Sequence, residues 1–350
     1  RGEVSGRKTC RILQDGGHDQ MTKKIRIGIA GYGNLGKGTE AAIMQNEDME
    51  LVAVVTRRDP SALDLQTKSA IRVHMSDIES LKESIDVMMI CGGSATDLPE
   101  MSPKLAGMFN IIDSFDTHKN IPGHFDTVDL SAKAGGHLAL ISAGWDPGYF
   151  SLMRLYASSV LPEGTDYTFW GPGVSQGHSD AIRRIHGVLS ATQYTIPVSC
   201  SVEAVRKGEC PCLTAGQKHT RDCYVVVRED ADKERIEKEI KCMPNYFADY
   251  DTTVTFITEE EMARDHCTLP HGGFVIRTGR TGFRKENKST IEFRLALESN
   301  PEFTSSFLVA YARAVYRLSI KGETGARTVF DIPPALISPL SPEQLRTTML

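Results

Sequence analysis

The stretch IRIGIAGYGNLG, residues Ile25–Gly36, decides the fold of the first part of the chain. Its apolar half is typical of a buried strand. Its second half fits G-x-G-x-x-G, in which glycines allow a tight turn and a close backbone approach to a pyrophosphate. The apolar run Leu51–Val55 predicts a second buried strand. Between the strands, four residues share one helical face: Leu35, Thr39, Ala42 and Ile43. Strand, glycine turn, helix and strand form the βαβ unit that binds dinucleotides.

The residues after the second strand indicate which dinucleotide is bound. A protein that binds NAD(H) places Asp or Glu there to accept from the ribose 2′-hydroxyl, whereas this chain has Arg57 and Arg58. Two guanidiniums would bind a 2′-phosphate through charge-assisted hydrogen bonds. The sequence therefore predicts NADP(H). Two alternatives stay open: the arginines could form only a solvated loop, and Asp59 could still face the ribose.

The alternation of strand and helix continues and predicts an α/β fold with a Rossmann-type doubly wound parallel sheet. Further strands are expected at Asp86–Ile90, Asn110–Asp113 and Leu138–Ser142. Ligands of such sheets bind at the carboxyl ends of the strands. Besides Arg57 and Arg58, the predicted cofactor-binding residues are therefore Gly31, Gly33, Asn34, Leu35, Gly36, Cys91, Gly92, Gly93, Ser94, Ser114, Phe115, Asp116, Ala143, Gly144, Trp145, Asp146 and Pro147. The thiol of Cys91 is interpreted as a small buried hydrophobe, because no base is evident near it.

The pattern changes near Tyr149 and predicts a second, α+β domain for substrate binding and dimerisation. A helix over Tyr149–Val160 precedes longer strands, several of which alternate apolar and polar residues: Asp166–Trp170, Val188–Ile196, Asp222–Val227, Thr252–Thr258, Gly273–Thr278 and Thr290–Leu297. The dinucleotide-binding domain is expected over residues 21–148 and the second domain over 149–299. A helix near Glu302–Ile320 would return residues 300–350 to the first domain. Residues 1–20 are expected to be a non-native or disordered extension.

Composition excludes several classes of protein. The formal net charge of −5 argues against a nucleic-acid partner. No apolar run approaches the ~20 residues that a membrane span requires, and residues 1–20 lack the apolar core of a signal peptide. A cytoplasmic location is therefore expected, with no membrane partner.

The eight cysteines are expected to be free thiols, given the absence of a secretory signal. Cys210, Cys212, His219 and Cys223 are candidates for a zinc site. The C-x-C spacing is poor for structural zinc, and the segment also fits a loop that leads into a strand. The sequence therefore predicts no metal.

Four longer stretches carry more specific information: DSFDTH (113–118), SAGWDPG (142–148), FWGPGVSQGHSDAIRRIHGV (169–188) and PHGG (270–273). With these motifs, the chain closely resembles the meso-diaminopimelate dehydrogenase family from about Met21 to its C-terminus. The resemblance implies NADP-dependent oxidative deamination of meso-2,6-diaminopimelate at its D-configured carbon. The products are L-2-amino-6-oxopimelate, ammonium and NADPH, and the reverse reaction serves lysine and cell-wall precursor synthesis. It also implies a cytoplasmic homodimer.

The resemblance also implies the site residues. Asp116 and Asp146 would hold the reacting amino group beside the nicotinamide, with no single obligatory base assigned. The cleft would be lined by Trp170, Gln176 and Gly177, and the distal L-centre would be held by Thr195, Arg221, His271 and Asn287. A substrate that is zwitterionic at both ends needs acceptors for two ammoniums and donors for two carboxylates. The guanidinium fork of Arg221 matches a carboxylate.

Two other functions are compatible with a Rossmann-type sequence. A Rossmann-type oxidoreductase acting on sugars, semialdehydes or another D-amino acid is one. Sugar and semialdehyde enzymes often place Glu-Lys-Pro after a strand, whereas the strands here lead into CGGS and SFDTH. A non-catalytic NADPH sensor is the other. It would carry a basic DNA-binding appendage, which the acidic balance of the chain does not support. Cofactor binding without turnover would favour the sensor.

Overall fold

The computed structural model describes residues 23–350. Residues 1–20, for which an extension was expected, lie outside the described residues. Met21 and Thr22, at the start of the expected first domain, also lie outside them.

The first domain is built on a seven-stranded parallel sheet. In chain order its strands are β1 (Ile25–Ala30), β2 (Met49–Thr56), β3 (Ile71–His74), β4 (Val87–Ile90), β5 (Ile111–Asp113), β6 (Leu138–Leu140) and, from the end of the chain, β14 (Gly325–Arg327). Their spatial order is β14-β6-β5-β4-β1-β2-β3. The order reverses between β1 and β4, and ligands of open parallel sheets bind at such a point.

Helices cover both faces of this sheet, which confirms the doubly wound architecture. One apolar cluster packs the sheet against α1 (Asn34–Met44) and α10 (Asn300–Ser319). The other packs it against α2 (Leu98–Ala106) and α3 (Ile121–Gly135). Strands that are buried on both faces read as continuous apolar runs, and VMMI of β4 is completely buried.

The second domain contains two smaller sheets. The order β11-β10-β9-β8 joins Asp251–Phe256, His219–Val227, Val188–Pro197 and Gly173–Val174, and the order β13-β12-β7 joins Asn287–Leu297, His271–Thr281 and Gly164–Trp170. The helices between them are α4 (Tyr149–Val160), α5 (Gln176–Arg183), α6 (Ser199–Arg206), α7 (Ala215–Lys218), α8 (Lys233–Lys241) and α9 (Glu259–Asp265). Helix α11 (Pro342–Met349) ends the chain.

The chain passes between the domains twice. It enters α4 after Trp145, and it returns into α10 at Asn300. Trp145 Nε1 donates to Asn300 Oδ1 at 2.9 Å, so the outgoing and returning segments are bonded to each other. Helix α10 then packs along α1, where the buried Arg313 guanidinium donates to Asp48 at 2.5 and 2.7 Å. Helix α10 is thereby packed against the parallel sheet and α1.

Over residues 23–350, every helix is too short or too polar to span a lipid bilayer.

Candidate active site

A cavity of about 460 Å³ opens at the carboxyl ends of the parallel strands and extends to the second domain. The first domain contributes the glycine turn and the loops that follow β4, β5 and β6. The second domain contributes the start of α5 and residues that follow it in the chain. The side chains that line the cavity include Asn34, Ser94, Asp116, Asp146, Gln176 and Asn300. The cavity therefore brings together most of the sequence-predicted cofactor residues with Gln176 and Gly177.

The glycine turn is shaped to receive an anion. Gly31 has φ +100°, and a Cβ there would lie 2.8 Å from the carbonyl oxygen of Cys91. Gly36 packs so closely on the turn that a Cβ would overlap Gly31. Helix α1 begins after Gly33 without a side-chain cap and without an acidic residue in its first turn. Its first N–H groups are thus open to a phosphate, with the helix dipole in the favourable direction.

The loop after β2 presents positive charge to the same edge of the sheet. Arg58 is exposed, and Arg57, with 65% of its side chain exposed, pairs with Asp97 at 2.9 Å. Asp59 has a local role, because its carboxylate accepts from Ser61 N at 2.9 Å and from Ser61 Oγ at 2.8 Å. The arginines are the side chains that this loop offers to a phosphate.

A buried carboxylate in α1, which the sequence analysis missed, organises this loop. Glu40 is 2% exposed and accepts from Thr67 N at 2.6 Å and from the Tyr32 hydroxyl. Burial alone would raise the pKa of Glu40, but the hydrogen bonds from Tyr32 and Thr67 outweigh it and lower the pKa. Because Tyr32 lies in the glycine turn, the network joins that turn to the segment after β2.

Asp116 and Asp146 both face the cavity, but their surroundings differ. Asp116 is exposed, and Ser94 Oγ donates to its Oδ1 at 2.5 Å. Asp146, whose side chain is 2% exposed, accepts from Arg154 at 2.6 and 3.3 Å and from Trp170 Nε1 at 2.7 Å. Asp116 therefore keeps unshared lone pairs, whereas both oxygens of Asp146 already accept hydrogen bonds.

Arg221 is a buried cation for which the described residues provide no carboxylate. It is 5% exposed, donates to Thr195 Oγ1 and lies 4.0 Å above the ring of Tyr250. Its Nε has no hydrogen-bond partner in the described structure. Burial lowers the pKa of Arg221. Burying an unpaired charge is costly, so this arrangement is suited to receive an anionic ligand.

Three histidines near Arg221 are held in the neutral state. Burial, with a smaller contribution from the charge of Arg221, lowers the pKa of His178 to about 4 and that of His219 to about 3. Burial likewise lowers the pKa of His271 to about 4. At neutral pH these rings therefore add no positive charge beside Arg221.

His219 and His271 connect this region to the rest of the site. His219 Nε2 accepts from Trp170 N at 2.8 Å, and the two rings stack at 5.3 Å. Trp170 in turn donates to Asp146. His271 packs on Trp145 with ring centroids 4.7 Å apart. Trp170 and His271 are thereby in contact with Asp146 and Trp145, which line the cavity, and Arg221 lies close enough to His219 and His271 for its charge to lower their pKa values.

The prediction for Asn287 is wrong. Asn287 is exposed and pairs with Thr281, at the turn of the β12–β13 hairpin, whereas His271 lies at the opposite end of β12. Ten residues of strand separate the two positions by roughly 30 Å. The asparagine that the fold brings to the cavity is Asn300, which accepts from Trp145 and from Thr304 Oγ1 at 3.1 Å.

The sequence analysis also missed Arg154, Arg184 and Tyr246. Arg184 and Tyr246 line the cavity, and Arg154 binds Asp146. Arg154 and Tyr246 lie outside the four family motifs, and Arg184 lies within residues 169–188, where no role is predicted for it.

The candidate zinc ligands are spread over different environments. Cys210 and Cys212 are exposed, whereas His219 and Cys223 are buried in β10, where His219 binds Trp170. The part of the chain that the structure describes contains no group of three side chains suited to a metal ion. Burial raises the pKa of the Cys91 thiol to about 12.

Comparison with known proteins identifies two family models in the chain. The model described as "Diaminopimelic acid dehydrogenase C-terminal domain" matches residues 144–299. The model described as "Oxidoreductase family, NAD-binding Rossmann fold" matches residues 25–107.

The matches to similar proteins cover almost the whole chain. The meso-diaminopimelate D-dehydrogenase of Acetivibrio thermocellus is 59% identical over 328 residues, which are 94% of this chain and 98% of the relative. The solved structure of C. glutamicum DAP dehydrogenase in complex with DAP has a TM-score of 0.87 and 44% identity, and the match covers 94% of this chain and 100% of that chain. An engineered D-amino acid dehydrogenase bound to NADP+ has a TM-score of 0.84 and 42% identity, with the same coverage.

Proposed function

The chain belongs to the meso-diaminopimelate D-dehydrogenase family, and we propose that the cleft described above carries out the reaction of that family with the residues assigned below. The protein is an NADP-dependent oxidoreductase. Its reaction is the reversible oxidative deamination of meso-2,6-diaminopimelate at the D-centre, which yields L-2-amino-6-oxopimelate, ammonium and NADPH.

The observation that carries the assignment is the separation of opposite charges within one site. Asp116 and Asp146 lie at the carboxyl ends of the strands, where a nicotinamide ring would lie. Arg221, which lacks a carboxylate partner in the described chain, lies on β10 of the second domain. A substrate with an ammonium and a carboxylate at each end complements this arrangement.

At the D-centre, the two aspartates have different roles. Asp116 has free lone pairs and lies in the cavity, so it would accept from the reacting amine and assist its deprotonation. Asp146 would fix the other side of the amine, while Arg154 and Trp170 hold its carboxylate in one orientation. Trp170, Gln176 and Gly177 would line the cleft. Holding the amine and the carbon in a reactive geometry accounts for much of the catalytic effect.

At the L-centre, Arg221 would bind the distal carboxylate, and Thr195 would share that contact. His271 is neutral and can therefore exchange hydrogen bonds with the substrate without opposing its charge. Asn300 replaces Asn287 in this set, because it lies in the cavity and has both a donor and an acceptor.

The cofactor site fits NADP. The open N–H groups of α1 would bind the pyrophosphate, and Arg57 and Arg58 would bind the 2′-phosphate. The residues at the ends of β4, β5 and β6 would line the nicotinamide half. When bound, NADP+ accepts the hydride that leaves the D-carbon.

Initial rates at alkaline pH test the proposed function. Meso-, LL- and DD-diaminopimelate are offered separately with NADP+ or NAD+, and nicotinamide reduction is followed by absorbance. We expect turnover of the meso isomer with NADP+, because the two ends of the cleft select opposite configurations. Turnover only of semialdehydes or of other D-amino acids would contradict this assignment and favour the alternative oxidoreductase. NADPH binding with no turnover of any of these substrates would indicate a sensor.

Replacing Arg57 and Arg58 together by alanine should weaken NADP+ binding by about 100-fold, since two charge-assisted hydrogen bonds are lost. NAD+ binding should change less than threefold, because NAD+ has no 2′-phosphate. Fluorescence titration of both cofactors measures the effect, with Lys133→Ala, on a distant face of α3, as the control variant. Equal losses for the two cofactors would contradict this role of the arginines.

Replacing Arg221 by methionine should lower kcat/KM for meso-diaminopimelate by about 100-fold, because the distal carboxylate loses its charged partner. The midpoint of thermal unfolding should not fall, since the substitution also removes a buried charge that has no carboxylate partner among the described residues. Arg206→Met, which breaks a surface ion pair with Glu203 and Glu292, is the matched control. A lower midpoint with unchanged kcat/KM would show that Arg221 is structural.

The proposal includes a homodimer in the cytoplasm. Helix α4 leaves Leu155, Tyr156 and Val160 exposed, which supports an apolar contact between two copies. Light scattering of the purified protein should then give twice 38.5 kDa, and the double variant Tyr156→Glu, Val160→Glu should give the single mass. A wild-type mass of one chain would refute the dimer. Fractionation of cells would locate the activity.

A further inference from the structure

A buried carboxylate lies directly behind the loops that carry Asp116 and Asp146. The side chain of Asp113, the last residue of β5, is fully buried. Its Oδ1 accepts from Ser142 N at 2.9 Å and from Phe115 N at 3.1 Å. Its backbone carbonyl accepts from Ala143 N at 3.0 Å. One residue therefore binds the backbone at the start of both loops.

The second oxygen of this carboxylate is bound by a buried histidine from α3. His124 Nε2 lies 2.8 Å from Asp113 Oδ2, and the His124 side chain is 4% exposed. The ring of Phe115 stacks on His124, with centroids 4.1 Å apart and planes 21° apart. The pair thus fixes Phe115 through its backbone and through its ring, and Phe115 precedes Asp116.

The backbone at the start of the other loop is strained. Ser142 has φ +54°, in the left-handed region that non-glycine residues rarely adopt. Its N–H is held by Asp113, and four residues further on the chain reaches Asp146. The strained conformation persists because the surrounding hydrogen bonds over-determine it.

We propose that Asp113 and His124 are positioning residues for the reaction, which set the relative placement of Asp116 and Asp146. Neither lines the cavity, so they act through the two loops. The inference rests on the proposed function, in which the two aspartates hold the reacting amine from two sides. A displacement of 1 Å at such a centre lowers the rate by about 100-fold.

The test compares Asp113→Asn with the wild-type enzyme. The amide keeps the shape of the side chain, but it loses the charge and one acceptor. We expect kcat/KM for meso-diaminopimelate to fall by about 100-fold, while the dissociation constant of NADP+ rises by less than about tenfold. The loops after β5 and β6 would line only the nicotinamide half, and the glycine turn and Arg57, which would bind the phosphates, are remote from the change. His124→Gln keeps an N–H donor and should lose less, about tenfold. It is also the deciding variant if Asp113→Asn does not fold.

Asp86→Asn is the matched control. Asp86 lies at the opposite, amino end of the same sheet, before β4, and accepts from Arg26 N at 2.8 Å and Arg26 Nη2 at 2.7 Å. It should lower the thermal midpoint without changing kcat/KM. If the variants at Asp113 and His124 behave in the same way as this control, or weaken NADP+ binding in proportion to kcat/KM, the positioning role is refuted.

Hydrogen exchange followed by mass spectrometry decides the inference independently of turnover. Asp113→Asn should accelerate exchange in both segments 114–118 and 142–148, and Asp86→Asn in neither. A wild-type enzyme that does not convert meso-diaminopimelate would refute the proposed function, whereas unchanged exchange in either segment would refute the joint positioning of the loops.

Discussion

The two segments that connect the domains are joined by the hydrogen bond from Trp145 Nε1 to Asn300 Oδ1, and the site depends on this junction. Trp145 ends the last loop of the first domain, and the next residue is Asp146. Asp146 is bound by Trp170 of β7 and by Arg154 of α4, both in the second domain. Asp146, which follows the last loop of the first domain, is therefore oriented by two residues of the second domain. The relative position of the two domains is part of the geometry of the reacting centre.

The distribution of charge follows from burial. The cleft is lined by the exposed carboxylate of Asp116 and by Asp146, which is paired with Arg154, and the buried cation Arg221 lies in the second domain. The histidines around Arg221 are neutral because burial lowers their pKa values. A buried charge without a partner is unfavourable for stability. Arg221 is consistent with a site in which a ligand supplies the missing carboxylate.

The loops of the cofactor half are likewise held by hydrogen bonds to residues behind them. Glu40 binds Tyr32 of the glycine turn and Thr67, beyond β2. Asp113 likewise binds the loops after β5 and β6. In both places a buried carboxylate joins two loops at the same edge of the sheet. Loops have few apolar contacts of their own, so such hydrogen bonds define their positions.

The sequence by itself determined the βαβ unit, the NADP preference suggested by Arg57 and Arg58, and the family, because these depend on short-range patterns and long ordered motifs. It did not reveal the short strands β3, β8 and β14, since IRVH, GV and GAR lack the continuous apolar run that marks the equally short strands β4, β5 and β6. Only the tertiary structure decided that Asn300 lies in the cleft and Asn287 does not, because strand pairing sets how far along a hairpin a residue lies. Only packing placed Arg154 on Asp146 and left Arg221 without a carboxylate among the described residues, since no short-range sequence pattern specifies which side chains pair in the folded protein.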